Sequence, residues 1–277
     1  MLYACLARRS SVPVLLALFL VSVSAGAQAG RAGKQERLES ADSDRSRAED
    51  SADSEAYKQF QFGTEFYRRG LLRESIDAFD RALAAKPAYP EAGYMLAVCY
   101  LELNDIASAV RAAENALQIN PLFTEAHNVL GQALARRGQR ELALKEFQIV
   151  LSDISFPTPE VAHFNVGRLA WEQQGYDEAV LHFRRAIELN PEWGRAWYMM
   201  GDCQESLGQL DEAKRAYAKA VDLMPHEVGP KYRLGLICFK SADMACARQY
   251  FEMVRTDAPG SDMAAGAREY LHQIHFR

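Results

Sequence analysis

Cysteine is scarce in this chain, with five residues in 277, and none is spaced as zinc ligands are. No glycine-rich phosphate loop, G-x-G-x-x-G turn or G-x-S-x-G elbow occurs, so the usual marks of nucleotide handling and serine hydrolysis are missing. The six histidines are scattered. His127 and His163 fall at equivalent repeat positions, and His272 and His275 share one face of the tail without a carboxylate or thiol to complete a metal set. Basic residues do not cluster: 32 Lys and Arg stand against 37 Asp and Glu, a formal charge of -5, whereas nucleic acid needs a concentrated basic face. No uncharged apolar run reaches the ~20 residues of a membrane span. Catalysis, a cofactor, a metal, a small-molecule substrate and nucleic acid are all set aside on these grounds. A protein partner remains.

What the chain does have is a period. Gly194 to Glu227 reads as two short amphipathic helices with a turn glycine, Gly208, between them and Pro225 closing the second. The small residue of the first helix recurs as Gly63, Ala97, Gly131, Gly167, Gly201 and Gly235. That of the second recurs as Ser75, Ala109, Ala143, Ala179, Ala213 and Ala247. Each step is 34 residues except one of 36 between the third and fourth copies. A ring recurs in the second helix as Phe79, Phe147, Phe183, Tyr217 and Phe251, with Ala113 the exception. Two helices of this length cannot bury their own faces, so each unit needs neighbours.

Six copies in phase resemble the tetratricopeptide repeat (TPR). The resemblance implies an all-α fold, a right-handed superhelical solenoid of six helix-turn-helix repeats. The repeats run over 56–89, 90–123, 124–157, 160–193, 194–227 and 228–261, and a capping helix follows over 262–277. In the cap, Ala265, Tyr270, Leu271 and Ile274 are expected on one side, and Thr158 is expected to cap the helix that opens repeat four.

Before the repeats, Arg8 and Arg9 precede an apolar run from Val12 to Val23 and an Ala-x-Ala ending. Residues 1–29 therefore read as a secretory signal peptide cleaved after Ala29, the run being short for an uncleaved anchor. Cleavage takes the formal charge from -5 to -7. Residues 30–55, rich in Arg, Glu, Asp and Ser with one Leu and no ring, read as a disordered charged leader. The mature chain is expected in the periplasm, meeting membranes only through partners.

In such a solenoid the first helices line the concave side. Counting from the small residue places Phe60, Tyr94, Phe164, Tyr198 and Tyr232 there, then Tyr67, Leu101, Trp171 and Phe239, and also Arg168. A groove of rings suits an extended or helical apolar peptide, although the same rings can equally be repeat consensus that packs on adjacent helices. TPR domains that hold chaperone C-termini clamp a carboxylate with Lys, Arg and Asn. Here the counted places hold rings, and no neighbouring repeats are expected to combine such cations and amides.

Cys238 and Cys246 lie on the two helices of repeat six, eight residues apart. In an oxidising compartment they are expected to form a disulfide, the alternative being two buried thiols. Six repeats behind an export signal, with Pro-Thr-Pro-Glu after repeat three, also resemble the type IV pilus biogenesis and stability proteins, the PilW/PilF or Tgl-like pilotins. That resemblance implies a groove that binds a secretin subunit and assists its assembly. The chain departs from this group in having no lipid-attachment cysteine after its apolar core. A general periplasmic scaffold unrelated to pili is the alternative.

Overall fold

The computed structural model describes residues 50–275, all of it helix and short turns. Helix α1 covers 50–68, followed by α2 (Leu72–Ala85), α3 (Pro90–Glu102), α4 (Ile106–Ile119), α5 (Thr124–Arg136) and α6 (Arg140–Ser152). Then come α7 (Pro159–Glu172), α8 (Tyr176–Leu189), α9 (Gly194–Ser206), α10 (Leu210–Leu223), α11 (Val228–Lys240), α12 (Met244–Asp257) and α13 (Asp262–His275). Among the described residues no helix is long and apolar enough to cross a membrane. The signal peptide and most of the leader expected for 1–55 lie outside the described residues.

The turn inside each repeat has one form. Its left-handed residue is Gly70, Asn104, Gly138, Gln174, Gly208 or Ala242, with φ between 59° and 82°. Two of the second helices are capped by an aspartate at that turn: Asp105 accepts from Ser108 N and Asp243 from Cys246 N, both at 3.1 Å. Thr158 does stand at the N-cap of α7, but its side chain makes no cap hydrogen bond. Pro159 at N1 supplies the start instead, with a preset φ and no N–H to satisfy.

Close approach within a repeat explains the glycine series. A Cβ on Gly63 would lie 2.6 Å from the Phe79 ring, and one on Gly201 would lie 2.9 Å from Tyr217. Gly131, Gly167 and Gly235 meet Phe147, Phe183 and Phe251 in the same way. All five rings are fully buried, each contributing on the order of 1.5–3 kcal/mol of apolar burial. Repeat two departs at both members together. Its small residue is Ala97, which carries the extra methyl, and its ring is replaced by Ala113; both are fully buried. The exception in the sequence is therefore a matched pair.

From α2 onward each helix packs on the next in sequence, and the main second-neighbour contacts run between odd-numbered helices: α3 with α5, α5 with α7, α7 with α9, and α11 with α13. The odd helices therefore form the inner, crowded face of the solenoid and the even helices the outer one. Helix α13 closes the last repeat by covering α11 and α12. Its buried stripe is Ala264, Ala267 and Ile274, with Tyr270 and Leu271 half-buried, while Ala265 is exposed. The stripe begins one residue earlier than the pattern suggested, because α13 starts at Asp262 and its helical spacing of three and four runs back from Ile274 through Leu271 and Ala267 to Ala264.

At the other end α1 already includes residue 50, inside the stretch expected to be leader. Ala52 continues the apolar stripe of Ala56 by one turn, and Asp53 pairs with Lys86 of the first inter-repeat loop at 2.9 Å. That contact joins residues distant in sequence, and local composition carries no trace of it.

Candidate functional site

The concave face is built from the inner sides of the odd helices. The rings three positions before each small residue lie across it without standing free. Phe60 packs on Phe79 and on Tyr89, with ring centroids 5.5 and 5.1 Å apart. Tyr94 meets Phe123 at 5.3 Å, and Phe164 meets Phe183 at 5.5 Å and Trp193 at 4.6 Å. Tyr198 lies over Tyr217 and Tyr232 over Phe251. Each ring except Tyr94, whose repeat has Ala113 in place of a ring, covers the buried ring of its own repeat, and in repeats one, two and four it also touches the N-cap residue of the next repeat's first helix. Phe164 is only 6% exposed, while the others are half-buried with edges to solvent.

The second set divides. Leu101 is buried, Tyr67 donates its hydroxyl to Glu102, and Phe239 lies edge-on to Tyr270 at 5.0 Å beneath the capping helix. Trp171 is half-buried, and its indole nitrogen donates to Asp202 at 2.8 Å. Asp202 belongs to a charged cluster on the floor of repeats five and six. Arg233 pairs with Asp202 at 3.1 Å and with Glu205 at 3.6 Å, and Lys240 reaches Glu205 at 2.7 Å. The Tyr217 hydroxyl donates to Glu205 at 3.1 Å. Burial, with these two carboxylates beside it, pushes the Tyr217 phenol far above its ordinary value, so it remains a donor at any working pH.

Between these regions the groove opens into a pocket of about 290 Å³ lined by Gln132, Arg136, Phe164, Asn165, Arg168 and Arg195. These side chains come from α5, α7 and α9, so three successive repeats contribute. Arg168 pairs with Glu172 at 2.7 Å. Arg136 donates to the Leu101 carbonyl at 2.7 Å, and the Arg195 guanidinium stands 5.8 Å over the Phe164 ring. Asn165 is 7% exposed, and its Nδ2 has no hydrogen-bond partner.

The expectation that no neighbouring repeats combine cations and amides is thus corrected. Phe164 and Arg168 are groove positions expected from sequence, and Gln132 stands one repeat before Arg168 in the same register. Arg136, Asn165 and Arg195 stand five after, two before and six before their repeats' small residues, positions that the count of rings passed over.

At the C-terminal end Cys238 and Cys246 are joined as a disulfide, with Cα atoms 5.7 Å apart. Asp243 beside them is engaged twice, by the Cys246 N–H and by Lys214 at 3.0 Å. Cys99 and Cys203 are buried free thiols, and burial pushes Cys203 up to about 12. Among the histidines, His127 is buried between Glu146 at 2.6 Å and the Pro121 carbonyl at 3.0 Å. Trp197 and Lys231, at the same repeat position, donate in the same way to the carbonyls of Pro191 and Pro225. These side chains tie the start of a first helix to the proline that ends the preceding repeat.

Comparison with known proteins places this geometry. The tetratricopeptide repeat family model matches residues 60–121, 94–157 and 165–228. Among curated proteins, Superkiller protein 3 of Schizosaccharomyces pombe is 24% identical over 63% of the chain, and protein O-mannosyl-transferase TMTC1 of Homo sapiens is 24% identical over 59%. The chain spans 14% and 19% of these two proteins, so what is shared is the repeat array. Among solved structures, PilW, described as a widely conserved type IV pilus biogenesis factor, superposes with a TM-score of 0.69 at 22% identity, covering 75% of this chain and 96% of PilW. PilF of Pseudomonas aeruginosa gives 0.71 at 17% identity, covering 80% and 99%. With the family model covering more than half of its length, the chain belongs to the tetratricopeptide repeat family, a fold that serves protein–protein interaction.

Proposed function

We propose that this protein is an exported scaffold whose concave groove holds an extended or helical segment of another polypeptide, and that it assists the assembly or stability of a type IV pilus secretin in the cell envelope. The observation that carries the reading is the extent of the structural match. The match takes in 75% and 80% of this chain and 96% and 99% of PilW and PilF, which leaves almost none of either fold unmatched. The basic, apolar and Ala-x-Ala order of residues 1–29 supports export. The half-buried edges of Tyr94, Tyr198 and Tyr232, with Val98 and Leu236 beside them, give the groove the mixed apolar and hydrogen-bonding surface that peptide segments use.

A second reading, a periplasmic scaffold for a different envelope or secretion complex, is favoured by the lack of a lipid-attachment cysteine after the apolar core. The test is deletion of the gene in its own host, followed by electrophoresis of the secretin without boiling. Loss of the detergent-resistant secretin multimer, restored by the full chain, is the expected result. Unchanged multimers overturn the pilus assignment and leave the second reading.

A further inference from the structure

The histidines read as scattered along the chain, but the fold brings two of them together. His163 on α7 and His182 on α8 have their Nδ1 atoms 3.2 Å apart, with the ring planes at 43°. The rings therefore meet through their nitrogens and do not stack face to face. Both are half-buried, so the pair is held in place and keeps part of its surface in solvent.

This contact is not part of the packing rule of the repeats. The second-helix place that His182 holds is Ala78, Ala112, Glu146, Ala216 and Tyr250 in the other five. Repeat three gives the direct comparison, because its His127 matches His163. There the partner is the Glu146 carboxylate, and the other ring nitrogen reaches the Pro121 carbonyl. Trp197 and Lys231 make the same reach to Pro191 and Pro225. His163 makes no bond of that kind, and what it faces is a second imidazole.

Two imidazole nitrogens at this separation have the bite of a metal site. Nitrogens about 2.0–2.1 Å from one ion, at an angle of about 90–110°, lie about 2.8–3.4 Å apart. Imidazole suits copper, nickel and zinc, and copper(II) stands highest in the general order of affinity. A hydrogen bond now joins the two Nδ1 atoms, one donating and one accepting. When an ion enters, the donor's proton moves to its own Nε2, which leaves a lone pair on each Nδ1 and releases no proton from the pair. Glu178 stands one helical turn before His182 on α8, near enough for its charge to act on that ring, and can add an oxygen. Water fills the remaining places. Arg185 also lies near His163, but its charge is matched by Glu188 at 2.8 Å.

We propose that His163 and His182 form a site for one divalent transition-metal ion, copper(II) being held most tightly, which joins α7 to α8 within repeat four. The site does not depend on what the groove binds.

The test is titration of the untagged intact protein at neutral pH with copper(II) alone, read by electron paramagnetic resonance. One equivalent is expected to bind with two coordinated imidazole nitrogens. His163→Gln and His182→Gln are each expected to weaken binding ~10-fold or more, since loss of an outer-shell partner alone reaches that size. His182→Glu rebuilds the pair that repeat three already folds with, and it should leave one coordinated nitrogen where there were two. A double variant of the tail, His272→Gln with His275→Gln, should bind copper as the unaltered protein does.

Failure of the unaltered protein to bind one equivalent overturns the proposal. So does a two-nitrogen signal that survives in His182→Glu and both glutamine variants, or one that disappears with the tail histidines.

Discussion

The indole nitrogen of Trp171 donates to Oδ2 of Asp202 at 2.8 Å, joining α7 to α9 on the concave floor. The ring is therefore a fixed part of that floor, and its removal carries a structural cost. Trp171→Phe keeps most of the ring and loses the bond. It is expected to cost about 1 kcal/mol in urea unfolding, a modest loss because Asp202 keeps Arg233. A variant as stable as the unaltered protein contradicts this geometry.

The fit between Gly201 and Tyr217 gives a sharper test. Gly201→Ala places a methyl 2.9 Å from the ring and is expected to destabilise by about 1–3 kcal/mol. In a Tyr217→Ala background, which reproduces the Ala97 and Ala113 pairing of repeat two, the same substitution should cost little. A double-mutant cycle reads the coupling directly. Additive effects would mean that the two positions do not share space.

Repeat six turns on Ala242 at φ 60°, where the other repeats use Gly, Asn or Gln. Ala242→Gly relieves left-handed strain and is expected to raise stability by about 0.5–1 kcal/mol, while Gly208→Ala at φ 75° lowers it by a similar amount. Thermal unfolding of the two variants moving in the same direction would refute the reading.

His163 and His182 face each other with Nδ1 atoms 3.2 Å apart. Burial, then the His182 and Arg185 charges, lower His163 from the ordinary 6.5 to about 4, and burial lowers His182 as well. The folded pair stays neutral at pH values where the unfolded chain takes up protons. Stability is therefore full above about pH 6.5 and falls as the pH drops toward 4. Urea midpoints measured across that range should decline, and His163→Gln should flatten the slope. An unchanged slope in the variant assigns the decline to other groups.

Opening the Cys238–Cys246 bridge returns conformational freedom to the unfolded chain across a short loop. Reduction, or Cys246→Ser, is expected to cost ~2–3 kcal/mol. Thiol counting on exported protein should find two free cysteines after the signal is removed, Cys99 and Cys203. Four would eliminate the bridge.

Much of this fold can be read in the chain because its packing rule is local. A glycine on one helix and a ring on the next recur five times at a fixed spacing, and each pair meets inside its own repeat. The start of α1 and the pocket are not legible in that way. The first depends on Asp53 reaching Lys86. The second gathers Arg136 from the end of α5, Asn165 from the middle of α7 and Arg195 from the start of α9, three registers that only the stacking of repeats brings together. Register from the small residue gives the helix face but not the depth, and most of the rings on that face prove to be joints within and between repeats, their outer edges alone left to the groove.

The account stands most directly on where a partner touches. A photo-crosslinking residue placed in living cells at Gln132 on the concave face, and separately at Leu181, 62% exposed on the outer helices, measures this. Adducts with another polypeptide from Gln132 and none from Leu181 are the expected result. Adducts from Leu181 alone would contradict it and move the binding surface to the convex side.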